Sequence, residues 1–248
     1  MLALASAFAR DQLRRSATLV LGAIGVLLVL SLRYFSAFGL GYETVQLREL
    51  GVYSIGLTGA LAVLIFSIPR EEDDTGNSET LLLVRPLPAP SISAGMFAGR
   101  LAVLTALQAV WAVALSAAIA WFAVSEPVLF SYRGQTSIMA ECQTLIEPLV
   151  GQWLVLAILL AVAQAFSRFA KPLLAGLAVV LFFFAAYAAG ATPALSYVLP
   201  DFSRYDLTPL LWGEATRSSA LLLLPHGVLW IAAALAVDSA GLRLRLAA

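Results

Sequence analysis

Between Leu101 and Ser125 the chain reads LAVLTALQAVWAVALSAAIAWFAVS, 25 residues without one charged side chain. Such a stretch cannot be held in water, and about 20 apolar residues already carry a helix across the hydrocarbon core of a bilayer. Five further runs obey the same rule, which predicts spans at about 16–38, 50–69, 101–124, 148–167, 172–194 and 218–238. All are continuously apolar, whereas strands of a membrane barrel would alternate over about ten residues. A mean hydropathy of +0.90 and only 12% charged residues put the whole chain in the membrane class. The expected fold is therefore all-α: one polytopic membrane domain over residues 1–248 with six transmembrane helices.

Basic residues favour the cytoplasmic side of a membrane. Arg10, Arg14 and Arg15 precede the first span, Arg70, Arg85 and Arg100 lie in the second loop, Arg168 and Lys171 in the fourth, and Arg243 and Arg245 in the tail, ten in all. The opposite side holds five, Arg33, Arg48, Arg133, Arg204 and Arg217. Both termini are thus expected in the cytoplasm, with 125–147 and 195–217 outside. Tyr34, Tyr42, Phe130, Tyr132, Tyr197, Phe202, Tyr205 and Trp212 gather where the outer interface falls, as interfacial aromatics do. Residues 2–15 read as an interfacial helix rather than a cleaved leader, because the basic region comes late and no small-x-small site follows Leu30. In that helix Arg10, Arg14 and Arg15 would face lipid phosphates while Leu2, Leu4 and Phe8 dip inward.

Catalysis by this chain has little to work with. It holds one His, His226, one Cys, Cys142, and three Met, with no HExxH, CxxC or His-rich tract. No metal site is expected, and a lone cysteine excludes an intrachain disulfide. The only lysine, Lys171, lacks the glycine-rich loop of a nucleotide-binding site. A formal net charge of zero argues against nucleic acid as a partner. Within the spans the polar groups are Gln108, Gln152, Gln164, Ser54 and Thr58, which read as interhelical hydrogen-bonding groups, and no ionisable residue stands at mid-membrane. A proton- or sodium-driven pathway is not visible, so energy for any transport must come from elsewhere.

One segment breaks the apolar pattern. After Pro69 the chain reads REEDDTGNSETLLLVRPLPAP. Asn77 or Ser78 can cap a short helix, ETLLLV, that Arg85-Pro86 ends. Leu81, Leu82 and Leu83 would form an apolar ridge flanked by charge, which calls for a protein groove or the membrane interface. The PLPAPS segment then keeps the chain stiff until a new helix begins at Ser91. A rigid elbow carrying a leucine ridge is the expected form of a docking device.

This arrangement resembles the type-2 permeases of ATP-binding-cassette (ABC) transporters, on Glu71, Glu72, Gly76, Glu79, Leu81, Leu82 and Pro86 after the second span. The stretch LPDFSRYDLTPLLWG, Leu199 to Gly213, is similar to the outer segment before the last span of those proteins. Pro88 and Ala89 stand where family members usually carry Ser-Arg. The resemblance implies a half-channel that pairs with a second permease, a copy or a homologue, and rests on two cytoplasmic ABC ATPase subunits. ATP and Mg would belong to those subunits, and this chain would hold no cofactor. Glu71, Glu72, Asp73, Asp74, Gly76, Glu79, Leu81, Leu82, Leu83, Arg85 and Pro86 would form the main ATPase contact, with Arg168 and Lys171 on a minor one. The protein would reside in the cell's inner (cytoplasmic) membrane and export or extract an apolar or amphipathic substrate, or pass a mechanical signal. The outer segments are expected to be partly embedded helices that close the outer end or dock an extracytoplasmic partner. The alternative is a non-transporting integral scaffold or assembly factor, whose 70–90 loop would tolerate a flexible linker.

Overall fold

The computed structural model describes residues 2–36, 42–67, 87–131, 137–192, 198–213 and 220–247. Those residues fold into α1 (Leu2–Arg14), α2 (Ser16–Ser36), α3 (Glu43–Ser67), α4 (Ala89–Ser125), α5 (Pro127–Ser131), α6 (Ile138–Gln143), α7 (Ile146–Phe169), α8 (Pro172–Ala189) and α9 (Ala220–Ala247). Two 3-10 turns, Phe202–Tyr205 and Thr208–Trp212, lie between α8 and α9. No strand occurs among the described residues, and six helices, α2, α3, α4, α7, α8 and α9, are long and apolar enough to cross a membrane. The protein is an all-α, multi-pass membrane protein.

Prolines set two helix starts. Pro88 is extended before α4, with Pro90 in the first turn, and Pro172 opens α8 behind an extended Lys171. At these positions the missing N–H would have no partner within the helix anyway. Helix α3 begins at Glu43, several residues before the apolar run at 50, and α9 continues to Ala247, past the expected end at 238. Both extensions place charged residues, Arg48 and Asp238, inside helices.

Helix α7 is the axis of the bundle. Leu154 to Ala165 are buried throughout, and α7 packs against α3, α4, α8 and α9. In lipid, apolar surface does not drive helices together, so association depends on close packing, which small residues permit. Gly25 provides such a notch: a Cβ there would come within 2.3 Å of the Trp111 ring, which is fully buried and donates its Nε1–H to Gly22 O at 3.1 Å. Gly51 and Gly59 of α3 receive Leu115 and Leu156 in the same way. The outward faces of α8 (Leu173, Leu177, Leu181, Phe184) and α9 (Leu221, Leu222, Leu229) are exposed and apolar, as a lipid environment requires.

Helix α1 differs from its expected form. Leu2 is 89% exposed, but Leu4 and Phe8 turn onto α4 rather than away from the protein. They seat on Gly95 and Gly99, where an added Cβ would meet Leu4 Cδ2 at 2.5 Å and Ala5 O at 2.6 Å. Spacing of four on α4 puts both glycines on one face, a groove for a second helix.

The chain thus has two distinct ends. At the α1 end, Ala89 and Ile92 of α4 cluster with Leu242 of α9, Gly241 abuts Phe169 of α7, and Leu64 of α3 reaches Gly176 of α8. At the turn end, α6 and the 3-10 turns cover the starts of α3, α7 and α9 and the end of α8.

Candidate coupling site

Glu71, Glu72, Asp73, Asp74, Gly76, Glu79, Leu81, Leu82, Leu83, Arg85 and Pro86 lie outside the described residues. Within them are the supports on either side: α3 ends at Ser67, α4 begins at Ala89, and the α7–α8 turn at 170–171 belongs to the same α1 end. Arg168 and Lys171, expected together on that turn, part company. Lys171 is exposed, whereas the Arg168 side chain is 6% exposed and its Nε donates to Asp238 Oδ1 at 2.7 Å. Arg168 therefore points into the bundle, not outward from the turn. Arg10 and Arg14 are exposed on α1, and Arg15 is half-buried beside Asp11 at 3.4 Å.

Asp238 organises this end. Its carboxylate is fully buried and takes Arg168 Nε on Oδ1, and Gln164 Nε2 at 2.7 Å and Ser93 Oγ at 2.5 Å on Oδ2. Gln164 also donates to Ser93 O at 3.0 Å, and Arg168 Nη2 contacts Met96 Sδ at 3.1 Å. One acid on α9 is thereby tied to two donors on α7 and two residues of α4. A buried charge costs several kcal/mol unless it is paired and its lone pairs are filled, and here both conditions hold. Arg100 stands in the field of the same group, and of Arg168, Arg15 and Asp11 as well. Among the described residues around Arg100, Asp11 and Asp238 are outnumbered by Arg15, Arg168 and Arg100 itself.

Asp238 and Ser93 were not singled out by the apolar runs. Asp238 marks the limit of the last run, and Ser93 falls in the helix expected from Ser91, ahead of the apolar run at 101. A signal existed in Gln164 and Arg168, four apart and so on one helical face, which need a buried partner. Of the intramembrane amides, Gln164 bridges helices as expected, and so does Gln152, whose Nε2 donates to Val52 O at 2.7 Å. Thr58 instead bonds back to Ser54 O within α3, and neither amide atom of the buried Gln108 has a hydrogen-bond partner among the described residues.

The turn end has its own pair. Arg48 Nη1 lies 2.6 Å from Glu141 Oε2 and 2.8 Å from Thr144 Oγ1, and Nη2 donates to Leu211 O at 3.2 Å, so α3, α6 and the second 3-10 turn meet at one guanidinium. Beside it run Tyr205, His226 and Trp230. Trp230 Nε1–H can only donate, and it points at His226 Nε2 from 3.2 Å. That ring nitrogen must therefore be bare, which leaves the proton on Nδ1, 2.5 Å from the Tyr205 hydroxyl oxygen that accepts it. Burial pushes the Tyr205 phenol up to about 12, so it stays neutral. His226 thus has both nitrogens occupied as a structural bridge.

No three His, Cys, Asp or Glu side chains gather among the described residues in a way that could hold a metal ion. No protein-family model matches the chain, and no curated protein matches it either.

Proposed function

We propose that the chain is the membrane permease subunit of an ABC transporter, with both termini and the α1 end in the cytoplasm of a cell bounded by an inner membrane. It would work as a dimer, with a copy or a homologue, on two ATPase subunits that bind ATP and Mg. The observation that carries the reading is the convergence at the α1 end. The helices flanking the 68–86 segment and the α7–α8 turn meet there, and Asp238 links α4, α7 and α9 directly behind them.

In this reading an ATPase docks on Leu81, Leu82 and Leu83 and the acids before them, and on exposed Lys171. Closure of the ATPase dimer on ATP displaces the start of α4. Because Ser93, Gln164 and Arg168 all bond Asp238, the displacement reaches α7 and α9 as a rigid-body shift rather than being lost in one helix. Arg168 acts here as a transmitting residue inside the bundle. Exposed Arg10 and Arg14 on α1 suit anionic headgroups on the cytoplasmic leaflet. The cargo is apolar or amphipathic, in keeping with spans that offer few polar groups.

The experiment is co-purification with the ATPase. Replacing Leu81, Leu82 and Leu83 together by Asp is expected to abolish association, or stimulated ATP hydrolysis, while the protein still inserts. Unchanged association, with a 70–90 segment that accepts a Gly/Ser linker, would instead favour the scaffold reading.

A further inference from the structure

The turn end contains a cavity of about 280 Å³ between α3, α7, α8 and the 3-10 segment, just under the range of about 300–1,000 Å³ typical of small-molecule sites. Its lining is graded. Tyr53, Leu57 and Ala60 follow one another down the same face of α3, and Gln152 and Leu156 do so on α7. Seven residues from Tyr53 to Ala60 make a depth of roughly 10 Å. Most polar side chains of the lining, Tyr53, Tyr187, Tyr205, Asp206 and Thr208, belong to the upper part, while Gln152, which donates to Val52 O, lies against Gly56.

Asp206 is the charged group of that upper part. Its Oδ1 accepts from Thr208 N at 3.2 Å and from the Thr208 hydroxyl, which also contacts the Tyr53 hydroxyl at 3.0 Å. Asp206 takes part in no ion pair with any described residue. Three more deeply buried carboxylates, Asp238, Glu141 and Asp201, each have an arginine. A carboxylate with no cation among the described residues, framed by two tyrosines above an apolar shaft, is complementary to a positive charge attached to a hydrocarbon: the acid supplies charge, and aromatic rings favour ammonium groups.

We propose that this cavity binds an amphiphile with a positively charged amine or quaternary ammonium head, held at Asp206 between Tyr53 and Tyr187, with its alkyl part against Leu57, Ala60 and Leu156. The site names the class of cargo for the permease and to that extent rests on that reading. Binding itself needs no ATPase, so the two can fail separately. The head group can belong to a membrane lipid or to a free cationic amphiphile, and both present the same chemistry.

The test is equilibrium dialysis of the full-length protein in a neutral detergent against labelled octyltrimethylammonium, octyl sulfate and octanol. The cation is expected to bind saturably, at least tenfold more tightly than the other two. Asp206→Asn, which keeps the acceptor for Thr208, should weaken the cation about tenfold and leave octanol unchanged. Ala60→Phe, which fills the shaft, should reduce binding of the cation and octanol alike. Equal binding of octyl sulfate, or cation binding unaffected by both variants, would overturn the proposal. Native mass spectrometry of the same protein assigns the source: a retained zwitterionic lipid displaced by octyltrimethylammonium places it in the bilayer, and cation binding without retained lipid places it in free amphiphiles. An anionic lipid retained and not displaced would also overturn it.

Discussion

Asp238 at one end of the bundle gathers bonds from residues 70, 74 and 145 positions away, whereas Asp201 and Asp206 at the other end bond to Ser203, Arg204 and Thr208, two or three positions along. The first pattern ties three helices into one body, and α1 is clamped to that body through Gly95 and Gly99. The second shapes short turns from within, as Asp followed by Ser or Thr does when its side chain takes the place of a backbone acceptor. Local stability follows how many distant partners a segment has. One end is thus built to move as a unit, and the other is shaped largely by bonds within its own turns. The turn end does have long-range ties, Arg48 to α6 and the second 3-10 turn, Tyr53 to Thr208, Trp212 to Glu49 and Tyr205 to His226, but each joins a covering element to a single span, α3 or α9.

The strongest way to break the contrast is Asp238→Ala. It takes from the buried Arg168 the carboxylate bonded to its Nε, and a loss of about 3–5 kcal/mol is expected. Denaturant unfolding followed by tryptophan fluorescence would read it, and the double variant Asp238→Leu with Arg168→Leu should recover much of the loss. Gly99→Leu tests the clamp alone. Its side chain would collide with the backbone of α1 at Ala5, at a cost of about 1–3 kcal/mol, and hydrogen exchange should rise in residues 2–14 while the turn end keeps its protection. Asp201→Ala is the smallest, about 1 kcal/mol for the lost cap, with faster exchange confined to 202–205. If that variant instead loosened α4 or α7, the division into a unified end and a locally built end would be wrong.

The six spans were legible because lipid imposes a length and a composition that no other environment does. What the runs concealed were contacts decided by face rather than by segment. Counting charges by loop put Arg168 on a surface, although Gln164 one turn earlier shares its side of α7 and both reach Asp238. Gly95 and Gly99 fell in the helix expected from Ser91 but ahead of the apolar run that marks the span, so the groove for Leu4 and Phe8 had no visible owner and those side chains were expected against the bilayer. Asp238 lay at the boundary of an apolar run, where a charge ordinarily means water. The Arg48–Glu141 pair joins residues 93 apart through a helix start that hydropathy placed later, and nothing in the local pattern points from one to the other.

The indole of Trp111, lodged against the bare backbone at Gly25, restricts how the molecule can rearrange. Sliding α2 along α4 by one turn would require lifting the largest buried side chain out of a slot with no room beside it and breaking its bond to Gly22. Those two rods must travel as a pair. Any slip plane within the bundle therefore runs elsewhere, as along the borders of α8, which shares with α9 the smallest buried fraction of the six spans.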